Sequence, residues 1–427
     1  MQRVAAPAPF RPGLGSALFL AVMLGSAVAT MLRMVLAAWF LLPADFAVYA
    51  TIVATGAFLS TILSFGAIEA TIKNFPRLAG QGREAELLPE SRRIMKRLAL
   101  RAGILGVPVL AAGALLDIEW LRLSGLACLF ALNTAYTAVL ASMQRAAGTA
   151  ATLAAGTALR SGGVLAAVAL AAFYGDLTMV LIAETLATVL TCLVSERIFF
   201  GAGSTADPAS GADDIRPPSS PSRFDGVHLF LAYSLISMPF YLDRLFVTTT
   251  MGLNAGAQYA VLALFLTAAS LLVNTLAQRS GPEAIRLVQR DGNARAARRQ
   301  ILMWCLIASL IWLLAIAAAA AVIATGLLPK GLERYLVDPH LLAPIAISGA
   351  LLCTGLIEFL LIALDRERAM LRAAALFALT VVATASAVAW FKLDLADFMW
   401  LLAACRAFYL LLLLSSLPWR DKAASGA

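Results

Sequence analysis

The 427-residue chain is 61% hydrophobic and only 14% charged, with a mean hydropathy of +0.85 and a net charge of +8. Soluble domains are about half apolar and about a quarter charged. The composition therefore excludes a soluble fold and implies an all-α polytopic membrane protein, with chain enough for about twelve spans of ~20 residues; nucleic acid is not an expected partner.

The first apolar run, from near Leu14 to Leu42, is too long for a signal-peptide core of ~7–15 residues and reads as a retained span. In chain order the predicted spans are 14–41, 46–69, 98–116, 123–144, 149–173, 177–199, 227–250, 256–277, 301–326, 341–364, 371–391 and 397–418. Charge alternates sharply between their connections. Of 33 Lys and Arg, four fall within spans (Arg33, Arg160, Arg244, Arg406) and four on one side (Arg122, Lys330, Arg334, Lys392). The other 25 lie on the side that carries both termini. The positive-inside rule assigns that side to the cytoplasm, and two termini on one side require an even number of spans.

Residues 201–226, GAGSTADPASGADDIRPPSSPSRFDG, lack an apolar face and read as a flexible cytoplasmic linker. It divides the chain into a six-span unit over 1–200 and another over 227–427. The units echo each other. LLPADFAVYATIV (41–53) and MGLNAGAQYAVLA (251–263) each place a small-polar turn before a tyrosine, Tyr49 or Tyr259, near the start of a span. Arg33 precedes Tyr49 by 16 residues and Arg244 precedes Tyr259 by 15, and both second spans run into a Pro and a basic segment (NFPRL, SGPEAIRL). Six spans per unit make this a parallel repeat, an arrangement used by transporters with a central, midplane site. The expected architecture is two pseudo-symmetric six-helix bundles around a central cavity.

Ionised side chains are costly within a bilayer and mark functional or paired positions. Besides the four arginines, the spans hold Glu69, Glu184, Asp243 and Glu358, with Glu69 near enough to the cytoplasmic boundary to snorkel into the headgroups. Two readings stand side by side. The arginines and acids pair and staple helices together, or Arg33, Arg160, Arg244 and Arg406 line a water-filled cavity. Guanidinium forks grip phosphate oxygens bidentately and keep their charge at any physiological pH, so such a cavity suits an anion, a pyrophosphate above all, and repels a drug cation. Asp243 and Arg244 are adjacent and point about 100° apart on a helix, so they are not an ideal direct ion pair, although the acid neutralises its neighbour at least in part and pairing is the leading reading for Asp243. Glu184, Asp243 and Glu358 are the candidates for pairing or for carrying a coupling proton.

No Gly-x-x-x-x-Gly-Lys-Ser/Thr loop, Gly-x-Ser-x-Gly elbow or His-Glu-x-x-His run occurs. The largest external loop, 327–340, leaves little room for a catalytic constellation, so no enzyme activity and no catalytic residue is expected. Cys128, Cys192, Cys305, Cys353 and Cys405 fall inside apolar runs without close-spaced pairs, and His228 and His340 lie far apart. Neither a disulfide framework nor a metal site is expected.

RMVLAAWFLLPADFAVYAT, SFGAIEATIKNFPRL and YLDRLFVTTTMGLNAGAQYAV resemble the exits of spans one, two and seven in the polysaccharide flippases of the multidrug/oligosaccharidyl-lipid/polysaccharide (MOP) exporter superfamily. Pro43 follows Leu42 without that family's usual Gly, and Ala47 replaces a common Gly before Tyr49. The resemblance implies a carrier of an undecaprenyl-diphosphate-linked oligosaccharide across a bacterial inner membrane, for O-antigen, capsule or exopolysaccharide synthesis. It would work without ATP or on a proton or sodium gradient, alongside membrane lipids and other polysaccharide-assembly proteins. The rival readings are a cation-coupled drug or metabolite antiporter of the same superfamily, which would want acids in the cavity, and a polymerase or ligase of envelope glycans, which would want a large periplasmic loop.

Overall fold

The computed structural model describes residues 14–80, 83–147, 150–200, 227–289, 294–325, 331, 334–335 and 339–417; the linker 201–226 lies outside them. Among the described residues, twelve segments are long and apolar enough to cross a membrane. The chain is a multi-pass, all-α membrane protein. Seven helices form the first half: α1 (Leu14–Phe40), α2 (Pro43–Ser64), α3 (Ala67–Gly80), α4 (Leu87–Leu115), α5 (Glu119–Ala147), α6 (Ala150–Phe173) and α7 (Leu177–Phe200). The second half follows with α8 (Val227–Thr250), α9 (Leu253–Gln289), α10 (Ala294–Ala324), α11 (Leu342–Leu351), α12 (Thr354–Ala363), α13 (Glu367–Phe391) and α14 (Leu395–Ser416). The tenth span is α11 and α12 in series, and α3 is not a span. Since spans alternate in direction, the α1–α2 and α8–α9 turns share one face of the protein, here the distal face. The described chain ends, Leu14 and Leu417, lie at the opposite, proximal face.

Four segments differ from the sequence expectation. The second span stops at Ser64 rather than 69, because Phe65 (φ 45°) and Gly66 (φ 79°) take left-handed backbone and end the helix. The chain then restarts as α3, whose apolar and polar residues segregate to opposite faces, and Glu69 belongs to it; its side chain lies outside the described residues. The basic segments expected as loops, 70–97 and 278–300, are largely helical. α4 begins eleven residues before the predicted span and α9 runs twelve beyond it, since Arg, Lys and Leu are good helix formers once a span has nucleated the helix. The tenth span, expected unbroken over 341–364, is interrupted at Leu352 and Cys353.

That break is supported from α10. Trp312 Nε1 donates to the Ala346 carbonyl at 3.0 Å, Ser309 Oγ to the Ala350 carbonyl at 3.0 Å, and Cys305 Sγ to the Cys353 carbonyl at 3.5 Å. Irregular backbone at membrane depth needs such partners because lipid supplies none. Two cysteines 48 residues apart thus meet at the break as free thiols. Gly349 makes the Trp312 contact feasible, since a Cβ there would fall on the indole. Gly349→Val is expected to displace the indole and destabilise by ~1–3 kcal/mol, seen as a lower melting midpoint of the purified protein; an unchanged midpoint would count against this account of the break.

The second half repeats the helix pairings of the first. α1 packs on α6, α2 on α5, α4 on α5 and α6 on α7. Correspondingly, α8 packs on α13, α9 on α11 and α12, α10 on α11 and α12, and α13 on α14. Span n of one half matches span n + 6 of the other, which is a parallel repeat. The halves meet through α1 and α2 against α8 and α9. α2 and α8 run antiparallel along their length, with Thr51 and Thr248 hydroxyls 3.0 Å apart at one end and the Phe65 and Phe230 rings 6.5 Å apart at the other. At the distal face one buried apolar cluster spans both halves. It includes Ala37, Ala38 and Phe46 of the first and Ala257, Ala260 and Leu264 of the second. Small residues allow backbones to approach where lipid offers no hydrophobic drive. Of α1, only its distal stretch Met34–Leu41 enters this cluster, so the structure is sealed at the distal face.

Candidate functional site

Among the described residues, four acids are buried: Glu184, Glu196, Asp243 and Glu358. Each accepts a hydrogen bond from a tyrosine hydroxyl. Tyr49 donates to Glu184 at 2.5 Å, Tyr136 to Glu196 at 2.7 Å, Tyr259 to Asp243 at 2.5 Å and Tyr409 to Glu358 at 3.0 Å. A phenol brings its own apolar body to the site and a single donor for a carboxylate that lipid cannot solvate. In the sequence Tyr49 and Tyr259 stand out as landmarks after Arg33 and Arg244, whereas nothing there marks Tyr136 and Tyr409, or any of the four as a donor to an acid on another helix.

The arginines divide between the halves. Arg33 on α1 forms an ion pair and hydrogen bond with Glu184 on α7, which is 2% exposed. With Tyr49 on α2, this closes a charge-balanced triad of three helices. Arg160 on α6 donates to Gln144 Oε1 on α5 at 2.9 Å and to Thr157 Oγ1 at 3.3 Å. Glu196 takes its cation from the proximal extension of α4, with Arg92 Nη2 at 3.1 Å.

In the second half, Asp243 and Arg244 do not form a side-chain ion pair, as their 100° offset predicts. Asp243 Oδ1 instead accepts from the backbone N–H of Arg244 at 2.7 Å, and Oδ2 from Tyr259. The Arg244 guanidinium turns to Thr267 Oγ1 at 3.5 Å on α9. Arg406 on α14 is the second cation whose field reaches Asp243, yet it too forms no ion pair with a described residue. Its Nη1 is buried without a hydrogen-bond partner, as is Nε of Arg244.

Two cavities adjoin this cluster. One, of about 220 Å³, lies among α8, α9, α12, α13 and α14 beside the break of the tenth span. Arg406, Glu358, Tyr409, Asn274, Ser237 and Thr354 supply its polar wall. The other, of about 340 Å³ and largely apolar, lies among α8, α13 and α14, with Asp243 on its wall. Of the four span arginines, Arg406 alone lines either cavity. The halves thus build related clusters with different balances. The first pairs one acid with one arginine. In the second, one acid has two arginines near it whose guanidinium groups form no ion pair with a carboxylate of the described residues, and Glu358 stands apart on the cavity wall. The arrangement can hold and release an ion or a polar group. No group of three His, Cys, Asp or Glu side chains suited to a metal occurs among the described residues.

Several solved structures share this fold. An inward-facing multidrug resistance MATE family transporter of the MOP superfamily superposes with a TM-score of 0.64 at 14% identity, over 93% of this chain and 97% of that one. An outward-facing one gives 0.59 at 15%, over 93% and 94%. A MOP superfamily transporter from Pyrococcus furiosus, described as having a binding pocket of reverse polarity that suggests a different function, gives 0.55 at 15%, over 93% and 95%. No curated protein sequence matches the chain. Residues 15–280 match the family of polysaccharide biosynthesis proteins, and that stretch takes in all of the first half together with α8 and most of α9. With more than half of its length matched and its helices paired in two repeats on the MOP transporter fold, the chain belongs to the polysaccharide biosynthesis protein family.

Proposed function

We propose that this membrane transporter is a flippase that carries an undecaprenyl-diphosphate-linked oligosaccharide from the cytoplasmic to the periplasmic leaflet of a bacterial inner membrane, with both termini cytoplasmic. The observation that carries the reading is the family match joined to three buried arginines, Arg160, Arg244 and Arg406, whose guanidinium groups form no ion pair with a carboxylate among the described residues. Unpaired guanidinium groups in a low-dielectric interior favour an anion and disfavour a cation. That sign argues against a drug-cation antiporter, although multidrug transporters share the fold. The binding pocket of the Pyrococcus neighbour, described as of reverse polarity, is a precedent for this fold serving a different function. In the state sealed at the distal face, the substrate would enter from the proximal side and leave when the distal ends of α1, α2, α8 and α9 part.

The test is mass spectrometry of lipid-linked oligosaccharides in a strain lacking the gene. Accumulation of a complete oligosaccharide on its diphosphate lipid in the cytoplasmic leaflet, reversed by the intact gene, is the expected result; a normal pool would refute the reading. Coupling to a proton or sodium gradient is the companion proposal, with Glu358 as its carrier. It is the buried acid that lines the cavity beside the tenth-span break, with a tyrosine for its hydrogen-bond partner and no ion pair to an arginine among the described residues. Glu358→Gln keeps an acceptor for Tyr409 and removes the ionisable group. Normal protein levels with transport reduced at least about tenfold and no longer responsive to an uncoupler are expected; an unaltered response to the uncoupler would exclude Glu358.

A further inference from the structure

α1 ends at a backbone problem. The last carbonyls of a helix have no intrahelical donors, and here residue 43, whose N–H would serve the Trp39 carbonyl if the helix continued, is a proline. Leu41 N–H reaches the Ala37 carbonyl at 2.9 Å. Three of the carbonyls beyond it, those of Ala38, Trp39 and Leu41, are satisfied from the other half of the molecule. Arg334, between α10 and α11, donates from Nη2 to the carbonyls of Ala38 (2.9 Å), Trp39 (3.2 Å) and Leu41 (2.7 Å). Tyr335 adds its hydroxyl to the Ala38 carbonyl at 2.9 Å. Its ring is 2% exposed and stands edge-on to Phe46, 5.7 Å between centroids, with the Arg334 guanidinium 5.0 Å above it. A Cβ on Gly331 would lie 2.6 Å from the Trp39 indole, so that backbone also rests against α1. Burial pushes the Tyr335 phenol above its usual pKa, which keeps the hydroxyl a donor.

Other arginines cap helix ends within their own half. Arg101 on α4 reaches the Leu63 carbonyl of α2 at 2.8 Å, and Arg366 reaches the Ser416 carbonyl of α14 at 3.2 Å. Arg334 does the same chemistry across the boundary between halves, on the distal face, where the buried cluster that includes Tyr335 seals the protein. A cap within one half moves with it. A cap between halves must break when their distal ends separate.

We infer that Arg334 and Tyr335 form a latch, docked on the carbonyl end of α1, that holds the transporter closed at its distal face and must release for that face to open. The inference rests on the alternating-access part of the proposed function. It also makes the α10–α11 connection a determinant of how long the substrate cavity faces the proximal side. Release exposes three α1 carbonyls to water at the distal face, so the broken bonds are exchanged for hydration rather than left empty, and the device is reversible.

The test reads conformation rather than transport. Ala257→Cys places a thiol in the sealed cluster, at a position 1% exposed, while the five native cysteines are buried. A membrane-impermeant maleimide added from the distal side of membranes holding the full-length protein should label it slowly. Adding Arg334→Ala should raise the labelling rate about tenfold, and Tyr335→Phe, which deletes one hydroxyl and keeps the ring, should raise it less, both at normal protein levels. An unchanged rate in both variants would overturn the latch. So would loss of the Tyr335→Phe protein from the membrane, because the contact would then be a requirement for folding. Because the labelling reads conformation and not transport, a normal lipid-linked oligosaccharide pool in the deletion strain would refute the flippase reading and leave the labelling result standing.

Discussion

Arg33→Ala is expected to reduce the amount of folded protein sharply, through folding rather than through transport. Glu184 is 2% exposed and Arg33 is its cation, and the Tyr49 hydroxyl supplies a single hydrogen bond. Removing one partner of a buried pair leaves the other charge uncompensated, which typically costs ~3–5 kcal/mol. The reciprocal change Glu184→Leu should be as damaging, because Arg33 is then left without its carboxylate. Replacing the whole triad with apolar residues of similar size, Arg33→Met with Tyr49→Phe and Glu184→Leu, should restore most of the lost protein, since a buried pair is worth little net against good packing. Fluorescence-detected size exclusion and melting midpoints of the four proteins check the prediction. A single Arg33→Ala variant at normal level and midpoint would show that Arg33 is not a staple and would return it to the candidate substrate contacts.

The helices were legible because a bilayer imposes a fixed length of apolar chain, and the charge alternation tested their number independently. What the sequence hid lies in the partners. Arg33 and Glu184 are 151 residues apart, Tyr335 and Ala38 are 297 apart, and neither proximity follows from periodicity on one helix. The matching intervals from Arg33 to Tyr49 and from Arg244 to Tyr259 did mark the two clusters. The intervals could not say that the acid comes from the sixth span in one half and from the seventh, beside the arginine itself, in the other. The breaks at Phe65 and at Leu352–Cys353 were missed for a related reason. Each depends on support from outside its own segment: Arg101 on the Leu63 carbonyl, and Ser309, Trp312 and Cys305 on the tenth span. The connection 327–340 read as a short external loop with some charge, because the carbonyl end it caps belongs to the first helix of the chain.

Arg406 should behave in the opposite way to Arg33. It is buried, with Nη1 unpartnered and no ion pair to a carboxylate among the described residues, and it lines the cavity of about 220 Å³. Losing it leaves no acid that depended on it alone, because Asp243 keeps the Tyr259 hydroxyl and the Arg244 N–H. Arg406→Met retains an unbranched apolar side chain and removes an unpaired buried cation, so protein levels and melting midpoint should hold or rise. Transport should fall by at least about tenfold if the guanidinium contacts the diphosphate, since a hydrogen bond to a charged group is worth ~1.5–3 kcal/mol. Arg406→Lys should recover part of that activity, because it restores the charge but loses the planar fork. The measurement is the pool of lipid-linked oligosaccharide left in the cytoplasmic leaflet of cells carrying each variant, read beside the amount of protein in the membrane. If Arg406→Met empties that pool as the parent protein does, the second-half cluster does not bind the substrate. If instead the variant disappears from the membrane, Arg406 is structural and the unpaired guanidinium is satisfied by groups lining the cavity. Normal levels with a blocked pool is the one outcome that a purely structural arginine does not give.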